Sequence, residues 1–231
     1  MDKYNTRSGV FVLSILILFL TGWASAFSQN LIEGLKNSFD DPKWLIAAGG
    51  IALLYPLDDD VQQKFNGKLL PKQLDYIGDK WGQGTNWIAA NGFILGYGLV
   101  KKQSSEKIWQ NMRTVTEAYA VNIVLTYALK FTVGRTRPGS QNRRSFPSGH
   151  TSSSFVVAAA MNQLYGKNVG IPAYTLATVT GLERIHANAH WLTDVLAGAL
   201  LGNLLGNGYG SLSVQKNNGD KEYRIQVGFT F

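Results

Sequence analysis

Within the stretch from Lys130 to Asp194, Lys130 and Arg137, then His150, then Arg184, His190 and Asp194 stand at three separated sites. A transferring phosphoryl group spreads its charge over three oxygens and needs fixed cations and N–H donors around them. Lys130, Arg137 and Arg184 can supply the cations, and arginine's planar fork suits phosphate. Pro147-Ser148-Gly149 precedes a small-residue segment that reads as a helix. Its first amides and dipole would make an anion site, and Gly149 permits close backbone approach. His190 and Asp194 stand four residues apart at a helix start and so share a face. An aspartate bonded to one imidazole nitrogen orients the other, which makes His190 a plausible nucleophile. His150 is left to protonate the leaving oxygen.

Other groups read more plainly. His186 is expected to be a solvated loop histidine, and Arg135, Arg143 and Arg144 a basic rim to the pocket. His190-x3-Asp194 could be half a metal site. With no cysteine and three histidines, no metal or other cofactor is expected. Asp58-Asp59-Asp60 reads as a helix cap with first-turn acids rather than a cation site.

The elements that must position these residues are helical. Leu31, Ile32, Leu35 and Phe39 recur at helical spacing. Trp44 to Tyr55 is an apolar helix stopped at Pro56. A short helix is expected within Gly67 to Gly84, and another apolar one over Asn86 to Val100, where Gly92, Gly96 and Gly98 suggest close packing. After a cap at Ser104 or Ser105, the face Ile108, Met112, Val115, Tyr119, Ile123, Thr126 leads to Lys130, with Glu117 on the other face. A loop from Gly134 to Arg144 leads to a helix over His150 to Leu164. Pro172 to Arg184 follows, then Trp191 to Gly206 with a Gly198, Gly202, Gly206 stripe for close helix approach. Tyr223 to Phe231 alternates like a strand, and Leu212 to Gln215 could pair with it across Asn217-Asn218-Gly219-Asp220.

The chain has 231 residues, enough for one domain with a real core. Mean hydropathy of −0.05 is low for a bundle of full membrane spans. The net charge of +7 favours anionic partners without selecting one. Lys3 and Arg7 precede an apolar run from Val10 to Leu20 and an Ala24-Ser25-Ala26 cleavage pattern, the layout of a secretory signal peptide. Cleavage after Ala26 removes two positive charges and one negative, taking +7 to +6. The expected organisation is a signal peptide over 1–26, an α-helical domain over 27–210 and a β-hairpin tail over 211–231.

The three segments resemble the three-part signature of the type-2 phosphatidic acid phosphatase and vanadium haloperoxidase superfamily. Here it reads Lys130-x6-Arg137-Pro138, Pro147-Ser148-Gly149-His150 and Arg184-x5-His190-x3-Asp194. The resemblance implies an all-α bundle of about six core helices with the site at helix ends. Lys130, Arg137, Arg184, Ser148 and Gly149 would hold phosphate, with His150 the general acid, His190 the nucleophile and Asp194 its orienting partner. It also implies metal-independent hydrolysis of a phosphomonoester or a lipid phosphate or pyrophosphate through a phosphohistidine. A haloperoxidase and an inactive phosphate-binding envelope protein are the alternatives. Glu183 departs from the pattern, standing where the family often has Ser or Ala. The expected setting is the periplasm, soluble or attached to a membrane surface, with an integral membrane protein as the alternative, and without nucleic acid. Oligomeric state is not written in any of these patterns.

Overall fold

The computed structural model describes residues 31–227, with side chains through 215. The expected signal peptide lies outside the described residues. The fold is all-α. A helix over 31–39 (α1) is followed by α2 (Lys43–Leu53), a 3-10 turn at Tyr55–Leu57 and α3 (Asp58–Phe65). Then come α4 (Lys72–Lys80), a wide turn at Trp81–Thr85 and α5 (Asn86–Val100). The core is closed by α6 (Ser105–Val133), α7 (Gly149–Tyr165), α8 (Lys167–His186) and α9 (Leu192–Val227).

α7 is the centre, packed by α6, α8 and α9. Its sequence explains why. Ser152, Ser153, Ala158, Ala159 and Ala160 are small, so backbones can come close, and all five are buried. On the α9 side, a Cβ at Gly198, Gly202 or Gly206 would sit 2.6, 2.3 or 2.4 Å from the carbonyl oxygens of Ser148, Ser152 and Val156. The expected glycine stripe is therefore a backbone-on-backbone seam. Buried α7 hydroxyls find partners across the bundle. Asn122 Nδ2 donates to Ser152 Oγ at 3.2 Å, and Asn86 Nδ2 lies 3.3 Å from Ser154 Oγ. Ile94, Val115, Ala118, Val156, Leu205 and Tyr209 fill the apolar core.

Several local expectations change. Gly92 and Gly96 meet nothing within 4 Å, and only Gly98 packs, against Ile108. α5 lies at the edge of the bundle and turns that face outward. On α6 the buried line is Val115, Ala118, Asn122, Thr126 and Lys130, while Ile123 is exposed. Glu117 is buried and takes Arg113 Nε at 2.7 Å. α8 begins at Lys167 because Gly166, at φ 76°, turns the chain directly out of α7. Pro172 thus lies inside α8, where it removes one hydrogen bond near the helix start.

The tail hairpin is corrected. α9 runs unbroken to Val227, so Leu212–Gln215 and the described part of the alternating segment are helical. No strand is present among the described residues to pair with them. α9 contains no proline, and once its first turns are fixed against α7 each further residue adds a hydrogen bond at little cost. Residues 228–231 of the expected strand lie outside the description. No helix among the described residues is long and apolar enough to cross a membrane.

Candidate active site

The sequence-derived residues meet at one end of the bundle. α6 delivers Lys130 near its C-terminus, the 134–148 loop delivers Arg137, and α7 starts at Gly149 and His150. Arg184 lies near the end of α8, and Asp194 in the first turn of α9. A cis Phe146–Pro147 peptide leads into α7.

Lys130 is almost completely buried. Its Nζ donates to the carbonyls of Pro147 at 2.7 Å and Arg144 at 2.9 Å, with that of Ser145 at 3.5 Å. It therefore fastens the loop as well as lending charge. Burial, with Arg137 nearby, pulls its pKa down to about 8. Arg137 is half-buried. Its Nε is buried and makes no hydrogen bond among the described residues, which leaves a donor for an anion.

Ser148 is fully buried at the start of α7. Its N–H donates to the Asp194 carbonyl at 2.9 Å, and Thr151 Oγ1 donates to its hydroxyl at 2.9 Å. That amide is thus spent on α9. The hydroxyl, together with the next amides of the α7 first turn, is what Ser148 and Gly149 can offer an anion. A Cβ at Gly149 would stand 3.7 Å from Lys130 Cε, an ordinary contact, so the protein's own packing does not demand glycine there.

His190 is 2% exposed, with Nδ1 3.6 Å from Asp194 Oδ2 and 3.5 Å from Ser145 Oγ. Burial, opposed by Asp194 and reinforced by Lys130 and Arg137, lowers its pKa to about 4. Asp194 is fully buried. Ser145 Oγ and Trp191 N donate to Oδ2, and Arg135 Nη1 donates to Oδ1. Burial pushes its carboxyl up, but the His190, Ser145 and Arg135 contacts outweigh that and hold it below the usual range. His150 is half-buried against Gly82, where a Cβ would meet its ring at 2.5 Å. Burial first, then Arg184, lowers its pKa to about 4, and the charge of His190 is felt there too.

Arg184 resolves the question posed by Glu183. The Glu183 carboxylate is buried and accepts from Arg184, and Arg184 Nη2 also donates to Asp79 Oδ1 at 2.8 Å. Glu183 therefore pairs with its neighbour rather than pointing away. Burial raises its pKa and Arg184 partly offsets the rise. Asp79 and Glu183 hold the arginine by Nε and Nη2, and Nη1 is the part of the guanidinium those bonds leave unused.

Two expectations are overturned. Arg135 is not on the rim. Its guanidinium bonds Asp58, Thr193 and Asp194 and lies over the rings of Tyr55 and Trp191. Arg143 and Arg144 do stay exposed. His186 is not simply solvated. Its Nδ1 accepts from the amides of Leu69 and Leu70, both at 3.0 Å, and so pins the α3–α4 loop. Ser145, Asp58, Asp79 and Glu183 were not assigned to the site from sequence. Asp58 does open α3 with acids in its first turn, but its carboxylate reaches into the bundle. Among the described residues no group of three or more His, Asp or Glu could hold a metal ion.

The family model described as PAP2 superfamily matches residues 112–217, a span that holds Lys130, Arg137, His150, Arg184, His190 and Asp194. Over this segment the chain is similar to the PAP2 superfamily. A lipid A 1-phosphatase of Porphyromonas gingivalis is 38% identical over 182 residues, covering 76% of this chain and 38% of that protein. A lipid A 1-diphosphate synthase of Escherichia coli is 32% identical over 65 residues, covering 28% of this chain and 27% of the relative. The chain thus spans well under half the length of these curated relatives. The fold is shared with the crystal structure of a transmembrane PAP2 type phosphatidylglycerolphosphate phosphatase from Bacillus subtilis. The TM-score is 0.57 at 21% identity, with 81% of this chain and 96% of that one covered.

Proposed function

We propose that this chain is a PAP2-type phosphatase that hydrolyses a lipid phosphate, with lipid A-type phosphates the first class to try. The observation that carries the reading is the buried His190–Asp194 pair, set among Lys130, Arg137 and Arg184 with His150 nearby. In the proposed reaction His190 Nε2 attacks phosphorus and the bond to the ester oxygen breaks. Asp194 holds the Nδ1 proton, and His150 gives its proton to the leaving oxygen. Water then attacks the phosphohistidine, its proton passes to His150, and phosphate leaves. The cations stabilise oxygen charge in both steps and no metal is required.

A lipid substrate is supported by the surface. Ile46, Leu53, Ile88, Leu99, Val100 and Phe131 are exposed. An apolar cavity of about 860 Å³ opens between α2, α6 and α9, lined by Trp44, Ile51, Leu125, Leu129 and Leu204, and it reaches Arg135 and Pro147. We propose an exported, periplasmic protein attached to a membrane surface. The test is phosphate release from lipid A, phosphatidate and a soluble phosphomonoester with EDTA present, run beside flotation with lipid vesicles. Turnover of the lipid phosphates with co-flotation is the expected result. Absence of turnover on every substrate, or turnover only with added metal, counts against the reading.

The imidazole shifts give a pH dependence. In the free protein productive encounter needs His190 neutral and His150 charged. Both pKa values lie at about 4, with Lys130, Arg137, Arg184, Asp79 and Asp194 the charged groups around them. Below about pH 4 His190 gains a proton, and above it His150 loses one. The expected kcat/KM profile is therefore a bell on the acid side. A bound phosphate dianion favours the charged imidazolium, so the basic limb of kcat should lie at higher pH than that of kcat/KM. A kcat/KM profile that is flat up to pH 8 would contradict these roles.

A further inference from the structure

Arg135 lies two residues before the phosphate-facing Arg137, yet its side chain turns the other way, behind Asp194. Nη1 donates to Asp194 Oδ1 and Thr193 Oγ1, both at 2.7 Å, and Nη2 donates to Asp58 Oδ2 at 2.6 Å. Asp58 closes the circuit. Its Oδ1 accepts from the Thr193 amide at 2.9 Å, and its Oδ2 from the Thr193 hydroxyl. The guanidinium is stacked 4.9 Å from the Tyr55 ring and 5.4 Å from that of Trp191. We infer that Arg135, held by Asp58, is a positioning residue for the nucleophile, because it fixes the Asp194 carboxylate that orients His190. The inference rests on His190 being the attacking group.

The argument is one of degrees of freedom and charge. A carboxylate held at one oxygen can swing about its Cβ–Cγ bond. Asp194 is held at both. Oδ2 faces His190 while accepting from Ser145 and the Trp191 amide, and Oδ1 is clamped by Arg135. A swing that breaks the His190 contact must also break the guanidinium bond. Asp58 and Asp194 are both buried, and Arg135 is the cation between them. Without it two buried carboxylates would face one site with no cation between them. A lysine could keep the charge but not the planar fork that reaches Asp58, Thr193 and Asp194 together.

The test compares wild type, Arg135→Met, Arg135→Lys, Asp58→Asn and His190→Ala on one soluble phosphomonoester. Outer partners that orient metal-bound histidines are worth about 10- to 100-fold in affinity or activity, and by analogy Arg135→Met should lose about that much in kcat. KM should stay within about twofold, since no phosphate contact is touched. Arg135→Lys should recover part of the loss, and Asp58→Asn should show a smaller loss of the same kind. Nitrogen-15 NMR of the three imidazoles adds a readout independent of turnover. His190 should carry its proton on Nδ1 in wild type and lose that preference in Arg135→Met. Should Arg135→Met not fold, the near-isosteric Asp58→Asn carries both measurements. Wild-type kcat and an unchanged His190 tautomer in these variants, with only a lower melting temperature, overturns the inference and leaves Arg135 a structural staple. A wild type without activity defeats the phosphatase reading instead, and the imidazole spectra still decide whether Arg135 sets the His190 tautomer; an active His190→Ala defeats the nucleophile assignment and overturns the inference with it.

Discussion

Replacing His190 by alanine should lower kcat on order of 10⁴-fold or more and abolish any covalent phosphoprotein. If His190 is the nucleophile, its removal leaves a binding site with no attacking atom. On the proposed roles Lys130, Arg137 and Arg184 still gather phosphate oxygens, so phosphate or vanadate binding should survive within a small factor. Because His190 is nearly completely buried, alanine also leaves a cavity and removes a partner of Asp194. His190→Gln is the companion variant. It keeps much of the volume and an amide donor toward Asp194, so its stability should lie closer to wild type while its turnover stays as low as that of alanine. Rapid quench with a labelled substrate, followed by acid and base treatment, reports the intermediate. An acid-labile, base-stable phosphoryl group in wild type and none in either variant is the expected pattern. Turnover within tenfold of wild type in both variants sinks the nucleophile assignment.

The site was legible where side-chain identity and spacing carried the information. Lys130, His150 and Asp194 converge because helix ends bring them there, with Arg137 and His190 on the short loops between, and helix ends could be placed from caps, prolines and periodicity. Arg135 was not legible. It sits in a run of loop arginines, and nothing in a loop sequence says which side chain turns inward. The cue would have been Asp58, but its partners Arg135 and Thr193 are 77 and 135 residues away in sequence. His186 failed for the same reason. Its partners are amides of the α3–α4 loop, and backbone groups leave no mark in a motif. The tail misled for a different reason. Alternation describes a strand only when a neighbouring strand accepts its hydrogen bonds, whereas α9 satisfies its own as it extends. Glu183 looked like a flaw beside Arg184, but with Asp79 it forms the mount that holds the arginine.

The glycines supply a second large effect, one whose sign depends on position alone. Gly202→Ala should destabilise the protein by about 3 kcal/mol, at the upper end of overpacking costs. Gly92→Ala should stabilise it by up to about 1 kcal/mol, because alanine outranks glycine inside an exposed helix. Sequence offers no contrast between them, since both are glycines inside apolar helices. At Gly92 an added Cβ meets nothing within 4 Å. At Gly202 it would lie 2.3 Å from the Ser152 carbonyl oxygen and 2.8 Å from the Val156 amide nitrogen. Both obstacles are backbone, so no rotamer change relieves them, and α7 and α9 must separate. That separation also loosens the seam at Gly198, which lies against the Ser148 carbonyl at the start of α7. Ser148, Gly149 and His150 would move away from Asp194 and His190, so Gly202→Ala should lose activity even in the fraction that stays folded. Chemical denaturation of the two variants beside wild type, with kcat measured on each, checks both signs. A Gly202→Ala protein as stable and active as wild type would show that the α7–α9 seam is looser than this backbone-on-backbone packing requires.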